Sequence, residues 1–330
     1  MKAKILVWSD HMRTQPLFKI IAVVGAISVL IVATIVAHNF STGPLPVLER
    51  ELRDALHAPG FALITLFLYL SLRWGANPHH PFTMTFAICA SLAIIAEGSQ
   101  IMGSRDAALG DLAADGLGIF AGLLIGGLVL GVFRSASRLG SYRAIAIVCG
   151  TLLSLLVILP LADASYAIAA QRSALPQLAS FEARWEKRLY SGSLDRGLKI
   201  VPSPSAAFPS GERTALLDLG RSSVPGLELF PYGDWTGFKE LVFTVASASA
   251  RPVGVILRIH DQQHNNEHND RYNQSFVVPV EPLTIRIPLS DITARPAKRK
   301  LDLSTIEALI IFVSSPTGDE KIYIDDIHLD

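Results

Sequence analysis

The chain has 330 residues, with 29 Lys+Arg against 29 Asp+Glu, so it carries no formal net charge. With no cationic excess to track phosphates, nucleic acid is excluded as a partner, and the apolar content excludes an acidic disordered chain. Half the residues are apolar and the mean hydropathy is +0.38, too high for an ordinary soluble protein.

The charge is unevenly placed. Residues 1–161 hold 11 basic and 8 acidic residues, whereas 162–330 hold 18 and 21. The first half reads as a multi-span α-helical membrane domain and the second as a globular domain. The expected division is a membrane domain over 1–161, a linker or short helix over the Ala-rich 162–184, and a soluble domain over 185–330. Cys89 and Cys149 both fall in apolar runs, so cysteine supplies neither a disulfide framework nor a zinc site in the second half.

A bilayer-crossing helix needs about 20 mostly apolar residues. Five stretches qualify, at about 17–37, 56–74, 82–102, 112–133 and 144–161. The first is read as a retained transmembrane helix, because its apolar run exceeds a signal-peptide core and no small-x-small cleavage site follows. Lys2, Lys4, Arg13 and Lys19, with Arg73 and with Arg134, Arg138 and Arg143, put eight positive residues on one side, against Arg50, Arg53 and Arg105 on the other. The richer side is expected in the cytoplasm. The N-terminus then lies inside an inner or plasma membrane, and the C-terminal domain is extracytoplasmic.

The polar residues of the spans cluster. His57 opens the second, Glu97 and Gln100 lie near the end of the third, Arg105 follows, and Asp111 and Asp115 open the fourth. All fall at one boundary of the membrane. Asp111, Asp115, Gly118, Gly122 and Gly126 form one stripe of a helix, where small residues admit a close neighbour. Acids within a span normally face a cavity or a partner. This cluster therefore reads either as a packing network or as a polar site for a headgroup, ion or substrate, with carboxylates and His as acid and base groups.

The pattern His57, Glu97-x-x-Gln100, Arg105 and Asp111-x-x-x-Asp115-x-x-Gly118-x-x-x-Gly122 resembles the VanZ-like family of small bacterial membrane proteins, over about residues 45–135. Asp115 stands where Asn is commoner in that family. The family is named for an association with resistance to a glycopeptide antibiotic, so the resemblance implies work at the cell envelope and supplies no reaction.

In the second half, the Pro and Ser of residues 201–211 predict a loop. Short strand patterns follow at 214–219, 227–230, 238–246, 253–260, 275–280, 283–289, 306–313 and 321–329. Many short strands with little helix predict an all-β sandwich. Val253, Val255, Leu257 and Ile259 share one face, as do Leu283, Ile285, Ile287 and Leu289. In the last strand, Asp325-Asp326 interrupts the alternation, predicting a bulge or an ion-binding point.

This half resembles carbohydrate-binding β-sandwich modules of the galactose-binding-like, jelly-roll type. The residues that carry the likeness are Gly233-Asp234-Trp235-Thr236-Gly237-Phe238, Leu257-Arg258-Ile259-His260-Asp261, Asp270-Arg271-Tyr272-Asn273, Ile287-Pro288-Leu289-Ser290-Asp291-Ile292 and Tyr323-Ile324-Asp325-Asp326-Ile327. The resemblance implies binding of an envelope polysaccharide or lipid-linked glycan, with His260, Asp261, Asp270 and Arg271 hydrogen-bonding hydroxyls and Tyr272 or Trp235 stacking on a ring. It also implies a structural calcium at Asp325 or Asp326. On a helix, His260, His264 and His268 would make a metal face, but the Asn and Asp density between them argues a polar loop. Lys298-Arg299-Lys300 reads as a solvated basic loop. No phosphate loop, nucleophile elbow or H-E-x-x-H pattern is present.

Overall fold

The computed structural model describes residues 46–73, 79–102, 109–129, 139–190, 198–204, 208, 211–219, 226–313 and 318–330. Its described residues divide into a helical unit, 49–162, and a sandwich unit, 163–330 with 46–48.

Five helices are described: α1 (Pro46–Ala55), α2 (His57–Ser71), α3 (Pro81–Met102), α4 (Leu109–Val129) and α5 (Leu139–Ala174). Three stretches among the described residues are long and apolar enough to cross a membrane: Pro46–Ser71, Gly110–Leu128 and Ile147–Ala174. A shorter apolar stretch covers Pro81–Ala96. The three longer stretches overlap the spans expected at 56–74, 112–133 and 144–161; the one expected at 82–102 meets only the shorter stretch, and the one expected at 17–37 lies outside the described residues.

The glycine stripe of α4 is the contact with α2. A Cβ on Gly118 would stand 2.2 Å from the Ala58 carbonyl oxygen, one on Gly122 2.4 Å from that of Ala62, and one on Gly126 2.5 Å from the Tyr69 ring. Backbones this close leave no room for a side chain, which is why the i, i+4 spacing of glycine is needed here. Ile64, Tyr69, Cys89, Ile119 and Leu123 pack beside the seam.

The Ala-rich segment expected as a linker or short helix is helical as far as Ala174. Helix α5 runs on to Ala174, and Ala164, Ala167, Ile168 and Gln171 are buried in the sandwich unit. Their 3-1-3 spacing is one helical stripe, and alanine is the best helix former. The buried Gln171 amide donates to the Leu178 carbonyl at 3.0 Å and accepts from the Tyr232 N–H at 2.7 Å. These bonds fasten the helix end to β1 (Gln177–Ala179) and to the turn at Tyr232.

All eight strands expected from the sequence are present: β3 (Arg213–Asp218), β4 (Gly226–Leu229), β5 (Glu240–Ser247), β6 (Val253–Asp261), β7 (Tyr272–Val278), β8 (Leu283–Pro288), β9 (Ile306–Phe312) and β10 (Lys321–Leu329). A further strand, β2 (Leu198–Pro202), pairs with β3 where the sequence suggested a loop. The strands form two antiparallel sheets, β2-β3-β10-β5-β8 with β1 on β10, and β4-β9-β6-β7. Val253, Val255, Leu257 and Ile259 point into the core as their alternation predicts, against Ile322, Ile324, Phe243 and Val245 of the other sheet. Leu289 enters the core from the short helix α6 (Leu289–Ala294), whereas Leu283 remains exposed at the strand start. The pairing of β10 with β5 shifts between Asp325 and His328, so the Asp-Asp interruption is a bulge, with Asp326 at φ +52°.

Candidate functional site

The residues proposed for ligand binding separate into two groups. Trp235 is 0% exposed and Tyr272 is buried, and both belong to the core. Tyr272 lies opposite Ile259 in the ladder, an inward position, and its hydroxyl donates to the Gln274 side chain. Burial raises its pKa to about 12. Neither ring can stack on a sugar, because each is packed on both sides. Their aromatic payload stabilises the sandwich instead.

Asp261 and Asp270 are also taken. Arg299 donates from Nη1 and Nη2 to the two oxygens of Asp261, at 2.5 and 2.7 Å, and from Nε to Asp270 Oδ1 at 2.6 Å. Asp261 further accepts the Asp302 N–H at 2.8 Å, and Asp270 accepts the Asn265 N–H at 3.0 Å. The bond from Arg299 first, then that from Asn265, lowers the Asp270 pKa to about 2. Arg299 thus ties together the two ends of the 262–269 loop. It is a clamp, not part of a solvated basic run.

That clamp leaves the outward face of the β4-β9-β6-β7 sheet open to description. Since Leu257 and Ile259 point inward, Ile256, Arg258 and His260 point outward on β6. Their ladder partners are Phe312, Ile310 and Ala308 on β9, with Ser275 and Asn273 on β7 and Glu228 on β4. Arg271 continues the Asn273 and Ser275 side of β7. The face thus carries an apolar strip, Phe312 and Ile256, beside a polar one.

The 262–269 loop brings His264 onto this face. Its ring centroid is 4.7 Å from that of His260. Arg258 Nη2 donates to His264 Nε2 at 3.2 Å, and His264 Nδ1 donates to the Asp270 carbonyl at 3.0 Å. A guanidinium only donates, so Nε2 must be the acceptor and Nδ1 must carry the hydrogen. His264 is therefore neutral, in agreement with its lowered pKa, to which burial contributes most. Burial, and then the charge of Arg258, lowers the His260 pKa to about 3.

Three nitrogens on this face are buried without a hydrogen-bond partner: Arg258 Nε, Arg271 Nε and His260 Nδ1. Buried polar atoms normally have partners, and a missing one costs about 1–3 kcal/mol. Three together leave unmet hydrogen-bonding capacity just beneath one face of the sheet. The sequence had pointed to His260 and Arg271, while Arg258 was quoted only as part of a resemblance.

The suggested metal positions do not gather ligands. Asp325 Oδ1 accepts the Asp326 N–H at 2.8 Å, and Asp326 Oδ1 accepts from the Gln177 amide at 3.2 Å. Among the described residues no group of three or more His, Cys, Asp or Glu could hold a metal ion, and His260, His264 and His268 do not converge as one. The acids at 325 and 326 serve the bulge and its tie to β1. A cavity of about 530 Å³ in the sandwich unit is lined by Arg172, Tyr232, Asp234, Gln262 and Thr305, among others.

In the helical unit, His57 Nδ1 donates to Asp115 Oδ1 at 3.0 Å. Asp115 is 0% exposed, and its Oδ2 has no hydrogen-bond partner among the described residues. Asp111 sits one turn earlier, half-buried. The side chains of Glu97 and Gln100, and Arg105 altogether, lie outside the described residues.

No family model matches this sequence, and no curated protein matches it. Solved structures do. The chain is similar to an exo-beta-agarase at 19% identity over 47% of this chain and 24% of that one, with a TM-score of 0.37. It is similar to the family 11 carbohydrate-binding module from Clostridium thermocellum, in complex with a beta-1,3-1,4-mixed-linked tetrasaccharide, at 18% identity over 46% of this chain and 93% of that one, TM-score 0.34. A family 30 carbohydrate-binding module of a cellulosomal cellulase from the same organism shows 14% identity over 42% and 89%, TM-score 0.30. The match spans about a quarter of the agarase chain.

Proposed function

We propose that this chain is an integral membrane protein of the bacterial cell envelope whose sandwich binds glycan on the outward face of the β4-β9-β6-β7 sheet. The observation that carries the reading is the set of three buried, unpartnered nitrogens on Arg258, Arg271 and His260. Planar polar side chains beside an apolar strip suit a sugar ring, which offers hydroxyl edges and C–H faces. Membrane insertion is supported by the apolar side chains that the helices leave uncovered, among them Ile94, Ile95, Ile147 and Leu159, each more than half exposed. Water would penalise such a surface and lipid would not. The excess of basic residues in the short loops supports a cytoplasmic N-terminus and an extracytoplasmic sandwich. The resemblance to the VanZ-like family supports an envelope role.

The test is binding of an oligosaccharide panel by the full chain in detergent micelles, followed by calorimetry. Wild type should bind at least one member, and Arg258→Ala with Arg271→Ala should bind none. Silence of wild type across plant, algal and envelope oligosaccharides would overturn the reading.

A second reading, an enzyme acting on a lipid-linked envelope intermediate, is favoured by the His57–Asp115 pair, in which a buried carboxylate orients an imidazole as a base requires. Asp115→Asn, with the helical unit still folded, should then abolish the envelope phenotype of a cell depending on this protein. Full function of that variant excludes acid–base work by the pair.

A further inference from the structure

We infer that the ligand of the outward sheet face is an acidic saccharide, its carboxylate or sulfate group held between Arg258 and Arg271. This rests on the glycan-binding reading above and narrows it to one class of sugar.

Four arginines of the sandwich unit are paired with carboxylates. Arg188, Arg251 and Arg286 reach Asp163, Asp319 and Glu240 at 2.6, 2.5 and 2.9 Å, although each of these pairs is well exposed. Arg299, half-buried, is paired with two carboxylates. Arg258 and Arg271 are half-buried too, yet among the described residues neither forms an ion pair with a carboxylate. Arg271 makes no hydrogen bond there at all. Arg258 spends one nitrogen on a neutral imidazole. A guanidinium that is partly withdrawn from water and unpaired is costly unless a counter-charge arrives.

The two charges also feel each other. Burial is the main reason the Arg258 pKa is lowered, and the charge of Arg271 is the next. Glu228 and Glu307 act in the opposite sense from neighbouring strands, and Glu307 Oε2 stands 3.8 Å from His260 Nε2. The acids adjacent in sequence, Asp261 and Asp270, cannot neutralise the pair because Arg299 has taken both. His260, neutral between them, adds a hydrogen-bonding edge rather than a charge. One anionic group between the guanidiniums would relieve their repulsion. Arginine suits planar carboxylate and tetrahedral sulfate alike.

The experiment compares tetragalacturonate, a sulfated carrageenan tetrasaccharide and neutral cellotetraose by calorimetry on the full chain in micelles. Wild type, Arg271→Gln and Arg271→Lys are measured, each with a melting curve. Since Arg271 makes no side-chain bond among the described residues and is costly where it stands, Arg271→Gln should melt no lower than wild type. At least one acidic tetrasaccharide should bind tenfold or more tightly than cellotetraose, and weaken as salt rises. Arg271→Gln should erase that preference and Arg271→Lys should keep part of it. Which acidic arm binds separates carboxylate from sulfate. Equal or tighter binding of cellotetraose overturns the inference and leaves the glycan reading standing. No binding of any of the three overturns the inference too, and silence across the wider panel is what overturns the glycan reading.

Discussion

Lowering the pH from 7 to 5 should cost the sandwich about 2 kcal/mol through His260 alone. The side chain is only 10% exposed, its Nδ1 is buried without a partner, and its pKa falls to about 3, chiefly through burial. In the unfolded chain the same ring titrates near 6.5. Between those values the unfolded state takes up a proton that the folded state refuses. The stabilisation is complete above the unfolded pKa and is lost as pH falls through it. Each pH unit below 6.5 then removes about 1.4 kcal/mol, which gives about 2 kcal/mol at pH 5. His264, also held neutral, acts in the same direction. Asp270, with its pKa near 2, acts only in more acid solution. The assay is urea unfolding of the full chain in a mild detergent, read by tryptophan fluorescence at pH 7, 6 and 5. His260→Gln should lose the His260 share of the slope, so the difference between the two proteins isolates it. Parallel pH profiles for wild type and His260→Gln would refute the burial argument.

Arg299→Ala should destabilise the sandwich by about 3–5 kcal/mol in the same assay, because Asp261 would remain buried and charged without its cation. Arg299→Lys should rescue little, since an ammonium cannot span two carboxylates, and limited proteolysis should then cut within 262–269 first. Gly118→Leu should separate α2 from α4 and yield aggregated protein on size exclusion, while Gly116→Leu, with nothing within 4 Å, should elute as wild type. A cysteine placed at exposed His268 in a background lacking Cys89 and Cys149 should react with an impermeant maleimide in intact cells. Labelling only after lysis would overturn the proposed orientation.

The strands were legible because a half-buried antiparallel strand must alternate, and Val253, Val255, Leu257 and Ile259 do so without a break. β2 was not, because its burial is only partial and Pro202 ends it, features of an edge strand with little to alternate against. The glycine stripe of α4 was legible for the opposite reason. Its signal is an absence of side chains at one spacing, and close backbone contact is what that absence permits. The Ala-rich stretch after residue 161 left linker and short helix both open, because alanine serves in either. Only the position of Gln171 on the same stripe distinguishes it.

The site was harder to read, since pairing decides what an ionisable group does and pairing is not local. Asp261 and Asp270 looked like ligand-binding acids beside His260 and Arg271. Their cation, Arg299, stands 38 and 29 residues away along the chain, in a run that reads as a solvated patch. Once it has claimed both acids, the nearby arginines lose their counter-charges. The same residues then read differently as a site: Arg258 and Arg271 lie on one sheet face with no ion pair to a carboxylate among the described residues, and of the acids only Glu228 and Glu307 act on Arg258 from neighbouring strands. Trp235 fails as a platform for a related reason. Its backbone N–H donates to the Leu303 carbonyl at 3.0 Å, just before β9, and its side chain is wholly buried in the core. Apolar periodicity therefore located the sheets, while the pairing on the outward face turned on one distant arginine and on which acids it engaged.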